Sequence, residues 1–180
     1  HPVIIENLMG IRRRKGTIQK GKKPLLINNL KIIIDVIDKE LIPDLKKLRN
    51  KALLLLGFSG GFRRKELVSL NIEDAEFVFE GLKITLKKSK TDQFGEGFAK
   101  GIPHFENSIY CPVTSLKRWI NLSKIKKGPI FVRFTKGSKI TNTRLTDQSV
   151  ALIIKEYLLK AGIDNKNYSG HSLRLSLIHI

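Results

Sequence analysis

Apolar residues recur along this chain with two different periods, and the change of period divides it. Leu30, Ile33, Ile34 and Ile37 fall at helical spacing and predict a helix over about 28–39, with Asn28 or Asn29 as its N-cap. Pro43-Asp44 opens a second helix running to about Gly57. Its Ala52–Leu56 stretch is apolar on every side, which predicts burial all round. The turn Ser59-Gly60-Gly61 leads into a helix over about 63–70, with Leu67 and Leu70 facing the core. Beyond Asn71–Asp74 the period drops to two. Phe77-Val78-Phe79, Glu80-Gly81 and Leu82-Lys83-Ile84-Thr85-Leu86 predict a β-hairpin with one dry and one wet face. Phe98–Pro103 predicts a third, edge strand, because Pro103 has no N–H for a ladder.

Helical spacing returns over about 113–122, through Leu116, Trp119 and Ile120, and again over about 147–161. In the second of these, Val150, Ile153, Ile154, Tyr157, Leu158 and Ala161 share a face, Thr146-Asp147 caps the start and Gly162 marks the stop. Between the two, Ile130–Phe134 reads as a short extended segment and Lys136–Arg144 as a basic loop. The predicted fold class is α+β, mainly helical, with a small three-stranded antiparallel sheet inserted among packed helices.

Charge changes this picture more than composition does. The 34 Lys and Arg outnumber the 16 Asp and Glu, for a net charge of +18 over 180 residues. That excess repels itself and points to a polyanionic partner, nucleic acid first. No run approaches the ~18 consecutive apolar residues of a membrane span. The single cysteine, Cys111, excludes an internal disulfide and a thiolate metal cluster, and fits a reducing interior. Glycine-spaced basic residues, Arg12, Arg13, Arg14, Lys15, Lys20, Lys22 and Lys23, have no apolar periodicity. They read as a linker suited to lie along a phosphate backbone, or as a solubilising arm. The chain opens on His1, which reads as a fragment or a processed protein.

A phosphodiester undergoing transesterification holds charge on its non-bridging oxygens, which fixed cations must stabilise. It also needs an acid for the leaving oxygen and a base for the nucleophile. The chain supplies Arg63 at a helix start, Lys90 at a hairpin end, and His171 with Arg174 three residues on, a spacing that shares one helix face. Taken singly, each has an ordinary structural or solvated reading.

Their order is more informative. Arg-x-x-Glu-Leu after an apolar helix, Ser-Lys-Thr-Asp closing a hairpin, and Gly-His-Ser-Leu-Arg together resemble the catalytic domain of the tyrosine recombinase (phage integrase) family, over about residue 25 to Arg174. The resemblance implies that Arg63 is the first catalytic arginine, chosen over Arg64 because it stands three residues before the glutamate. It implies that Glu66 is an accessory acid and that Lys90 is the general acid toward the leaving 5′ oxygen. His171 becomes the acid/base residue and Arg174 the second phosphate-clamping arginine. Arg64 and Lys88 are expected to be flanking DNA contacts. The family cleaves and rejoins DNA strands through a 3′-phosphotyrosine and uses no metal or nucleotide cofactor. Double-stranded DNA is the implied partner, and the implied location is cytoplasmic and nucleoid-associated, without a membrane.

The departures are as specific. Leu175–Ile180 follows Arg174 where the family continues to its nucleophilic tyrosine. Tyr110 precedes the 113–122 helix, Tyr157 reads as core and Tyr168 precedes the histidine, so no nucleophile is identified. Residues 1–24 correspond to the end of a core-binding region and its basic linker, and 25–180 to a catalytic domain lacking the C-terminal nucleophile segment. The expectation is a recombinase domain inactive by itself, its self-association on DNA weakened by loss of the exchanged C-terminal element. The alternatives are a non-catalytic DNA-binding remnant and a basic RNA-associated protein.

Overall fold

The computed structural model describes residues 4–7, 23–86, 97–168 and 172–175. Residues 4–7 form an exposed helical turn. The domain begins with α1 (Ile27–Lys39) and α2 (Asp44–Ser59). Next come α3 (Arg64–Ser69) and a 3-10 turn, Ile72–Asp74. Strands β1 (Ala75–Val78), β2 (Gly81–Leu86) and β3 (Phe98–Pro103) follow. The chain then runs through α4 (Pro112–Ser123), β4 (Val132–Phe134), β5 (Ile140–Arg144), α5 (Asp147–Lys160) and α6 (Ser172–Leu175).

Helix α2 is the axis of the molecule. Ala52–Phe58 are all buried, because α1, α3, α4 and the α6 turn pack around it and leave no wet face. Burial on every side is what an unpatterned run of leucines demands. From α1 come Leu30, Ile33, Ile34 and Ile37, the periodic stripe. Trp119 of α4 is buried completely, and its indole Nε1–H donates to the Ile130 carbonyl at 2.9 Å, so the bulk is dry while its polar atom is satisfied.

The three-stranded sheet is antiparallel in the order β1-β2-β3. Leu82, Ile84 and Leu86 turn into the core while Lys83 and Thr85 face out. Phe98–Pro103 pairs with the whole of β2, from Leu86↔Phe98 to Gly81↔Pro103, and Pro103 sits at the end of an edge strand.

Several expectations need correction. Neither Asn28 nor Asn29 caps α1: Leu26 holds the cap position without a side-chain bond, and Asn29 instead donates from Nδ2 to the Tyr168 hydroxyl at 3.1 Å. Phe79 is not in a strand but in the β1–β2 turn, fully exposed. The segment 136–144 is not simply a basic loop. Ile140–Arg144 pairs antiparallel with Val132–Phe134 as a second, two-stranded sheet. Five polar and β-branched residues after Lys139 hid a strand whose stability comes from its partner and not from its own apolar alternation.

A buried polar network ties α1, α2, α5 and β4 together. The Tyr157 hydroxyl donates to Glu40 Oε2 at 2.8 Å and accepts from Asn50 Nδ2 at 2.9 Å. Arg49 donates to Asn50 Oδ1 and to the Val132 carbonyl, and its guanidinium lies 5.1 Å from the centre of the Phe134 ring. Burial pushes Arg49 down to about 10, which leaves it charged at neutral pH. Lys160 closes the network on Glu40 and Glu156. No described helix is long and apolar enough to cross a membrane.

Candidate phosphate-binding site

The site grows from the C-terminal end of α2. A Cβ on Gly57 would stand 2.9 Å from Leu67 Cδ2 and 3.0 Å from Leu173 Cδ1. The missing side chain lets two elements, α3 and α6, close on the same spot of α2 from different parts of the sequence. Leu67 follows Glu66 and Leu173 precedes Arg174, so this one contact sets both basic segments against the same end of the helix.

The chain then turns sharply. Gly60, Gly61 and Phe62 are buried, and a Cβ on Gly60 would fall 2.1 Å from Phe62 Cε2. Gly60 is there so that the Phe62 ring can fold back over its own turn. Arg63 is thereby delivered to the N-cap position of α3 in an extended conformation. Glu66, three residues on, accepts the Arg63 backbone N–H at 2.8 Å through Oε2 and pairs with Arg63 Nη1 at 2.6 Å through Oε1. One carboxylate thus satisfies an otherwise unpaired helix-start donor and orients the guanidinium. Burial pushes the Glu66 carboxyl up, but the two Arg63 hydrogen bonds and the charges of Arg63 and Lys100 outweigh it and hold it below its ordinary value.

The far end of α3 is also fixed. Arg144 Nη1 donates to the Val68 and Leu70 carbonyls at 2.6 and 3.2 Å, and Nη2 to Asn71 Oδ1 at 2.6 Å. A six-residue helix leaves most of its terminal carbonyls unpaired, and a guanidinium at the C-terminus also suits the helix dipole. Arg144 therefore serves the α3 helix from a segment first read only as basic.

Arg174 is half-buried on α6, beside buried Ser172 and Leu173. The Ser172 carbonyl accepts from Leu25 N–H at 3.0 Å and the Asn167 carbonyl from Lys23 N–H at 2.8 Å. The described end of the basic segment thus runs alongside the turn that carries Arg174. Lys100 of β3 completes the cluster: its Nζ donates to the Gly60 carbonyl at 2.6 Å and lies 4.7 Å from the centre of the Phe62 ring. It feels the charges of Glu66, Arg174 and Arg63 together.

Of the residues singled out from sequence, Arg63, Glu66 and Arg174 come together here. Arg64 occupies the first position of α3, half-buried, and Lys23 is exposed. Lys88, Lys90, His171, Arg12, Arg13, Arg14, Lys15, Lys20 and Lys22 lie outside the described residues. The tyrosine hydroxyls are engaged elsewhere, Tyr110 with Asp35 Oδ1 at 2.9 Å, Tyr157 with Glu40 and Tyr168 with Asn29. Lys100 and Arg144 were missed. A lysine in an alternating strand and an arginine in a polar stretch carry no local signal of where they point. An open concavity of about 640 Å³ lined by Asp38, Lys51, His104, Glu106, Thr114 and Arg118 holds none of the site residues, and its Lys51 ammonium is spent on Asp38 at 2.6 Å.

The model of the Phage integrase family matches residues 24–179. The chain belongs to the phage integrase family. As a family member it is 44% identical over 167 residues to an integrase/recombinase xerD homolog of Selenomonas ruminantium, which covers 93% of this chain and 48% of that protein. It is 26% identical to tyrosine recombinase XerA of Pyrococcus horikoshii, over 88% of this chain and 50% of the relative. The integrase domain therefore spans about half the length of these relatives. Among solved structures, the XerH site-specific recombinase in a post-cleavage complex with its palindromic difH substrate superposes with a TM-score of 0.65 at 20% identity, over 86% of this chain and 40% of that one. A XerA recombinase superposes at 0.60 and 20% identity, over 86% and 47%. These likenesses establish a tyrosine recombinase catalytic-domain fold.

Proposed function

We propose that this integrase domain grips a phosphodiester of double-stranded DNA between Arg63 and Arg174, as the phosphate-binding part of a site-specific recombinase. The observation that carries the reading is the contact at Gly57, which puts the segments bearing the two arginines against one helix end. Two guanidiniums from separate elements suit the two non-bridging oxygens of one phosphate, and their charge suits the transition state better than the ground state. Glu66 holds Arg63 in position. Lys90 and His171 are proposed as the proton donor for the leaving 5′ oxygen and the acid/base residue, by their places in the matched motifs. Lys23 and the basic residues before it would follow the flanking backbone, with Arg64 and Lys88 as nearby contacts.

A second reading, DNA binding without strand cleavage, is favoured by the commitment of the Tyr110, Tyr157 and Tyr168 hydroxyls to Asp35, Glu40 and Asn29. A nicked suicide duplex separates the two. A covalent protein–DNA adduct with this chain supports cleavage, whereas retained binding without an adduct supports the second reading. Stronger binding to structured RNA than to duplex DNA at matched salt would overturn both.

A further inference from the structure

Lys100 has no place in the three matched motifs, yet it stands at the centre of the cluster. Its stem rises from β3, the edge strand, and sets Nζ over the Phe62 ring, 4.7 Å from the ring centre. Its ammonium is pinned by the Gly60 carbonyl at 2.6 Å, three residues before Arg63. A lysine that were merely solvated would extend away from the protein, since holding its long side chain still costs rotamer entropy. Here the carbonyl and the ring face offset that cost. One carbonyl uses one of three ammonium donors.

We propose that Lys100 is a third cation of the phosphate site, held by the turn before Arg63 so that its remaining donors face the same phosphodiester as Arg63 and Arg174. The proposal rests on the phosphate-gripping reading above and extends it to a residue outside the motifs. The electrostatics agree. Burial pushes the Lys100 ammonium below its ordinary value, Glu66 pulls it up, and Arg174 and Arg63 push it down again. Three cations and one carboxylate crowded together leave an excess of positive charge that an entering phosphate relieves. Gly60 and Phe62 gain a second role in this arrangement: they hold Lys100 as well as shaping the turn.

Binding of this chain to a mixed-sequence duplex is to be titrated across a range of salt concentrations for the parent, Lys100→Met and Lys100→Arg, with thermal melting of each. Lys100→Met keeps the apolar stem over Phe62 and removes the charge. The expected result is weaker binding with the slope of log K against log salt reduced, by no more than the ~0.9 of the one phosphate that Lys100 shares with Arg63 and Arg174. Lys100→Arg should restore most of that slope. If Lys100→Met melts earlier but keeps the parent slope, Lys100 only braces the turn and the proposal is overturned. If the slope is lost and Lys100→Arg does not recover it, the charge is not what acts, which also overturns it. Failure of the phosphate-gripping reading looks different: Arg63→Ala and Arg174→Ala would then also leave the slope of the parent unchanged.

Discussion

At the scale of single residues, Glu66 is the acid that positions the proposed phosphate ligand Arg63. Its carboxyl sits below the ordinary 4.5 because Arg63 bonds it twice, against the opposing pull of burial. A group with a lowered folded pKa adds stability that is present above its unfolded value and disappears as the pH falls through its folded one. Glu66→Gln should therefore destabilise the domain most near neutral pH. The gap to the parent should narrow below about pH 4.5 and close at lower pH, as read from urea midpoints across a pH series. The same variant loosens Arg63, so duplex affinity should drop although no DNA contact has been removed. Arg63 and Glu66 were singled out through the Arg-x-x-Glu-Leu motif, and the bond between them is local, three residues apart at a helix start. Lys100 was not, since a strand's alternation says which face a side chain takes and nothing of the turn it reaches 40 residues away.

At the scale of elements, α3 is short and depends on what holds it. At its C-terminal end, Arg144 alone supplies three hydrogen bonds. Arg144→Met should cost about 1–3 kcal/mol in chemical denaturation, because buried carbonyls lose a charged donor. Duplex affinity should fall with it, through the position of Arg63. At the α2 contact two effects compete in Gly57 variants. Alanine gains up to ~1 kcal/mol of helix propensity, while overpacking against Leu67 and Leu173 costs ~1–3 kcal/mol. Both neighbours are ends of leucine side chains with some room to give, so Gly57→Ala should be close to neutral. Gly57→Val adds bulk and a β-branched stem in a helix, so packing wins; it should lower the melting temperature and weaken DNA binding together. The helices and the three-stranded sheet were readable from period and punctuation. The β4–β5 hairpin was not, because Thr141, Asn142 and Thr143 carry no apolar alternation and the pairing with Val132–Phe134 is a tertiary fact.

For the molecule as a whole, a net charge of +18 makes affinity for any polyanion depend steeply on salt, so affinity alone cannot identify a site. Removing several of Arg12–Lys23 should weaken duplex binding more than removing Arg63 or Arg174, since a basic linker laid along the backbone would neutralise more phosphates than one guanidinium does. What distinguishes a clamp from general basicity is that two of its members act on the same phosphate. Effects of independent surface cations add, whereas those of residues sharing a partner do not. The most direct measurement is thus a double-mutant cycle on duplex binding at fixed salt, with Arg63→Ala, Arg174→Ala and the double variant, each checked for folding by thermal melting. A shared phosphate predicts a coupling of about 0.5–3 kcal/mol. It also predicts a double-variant salt slope lower than the parent's by about one phosphate, not two. Additive losses with independent slope changes, or no loss at all, would contradict a clamp built from α3 and α6.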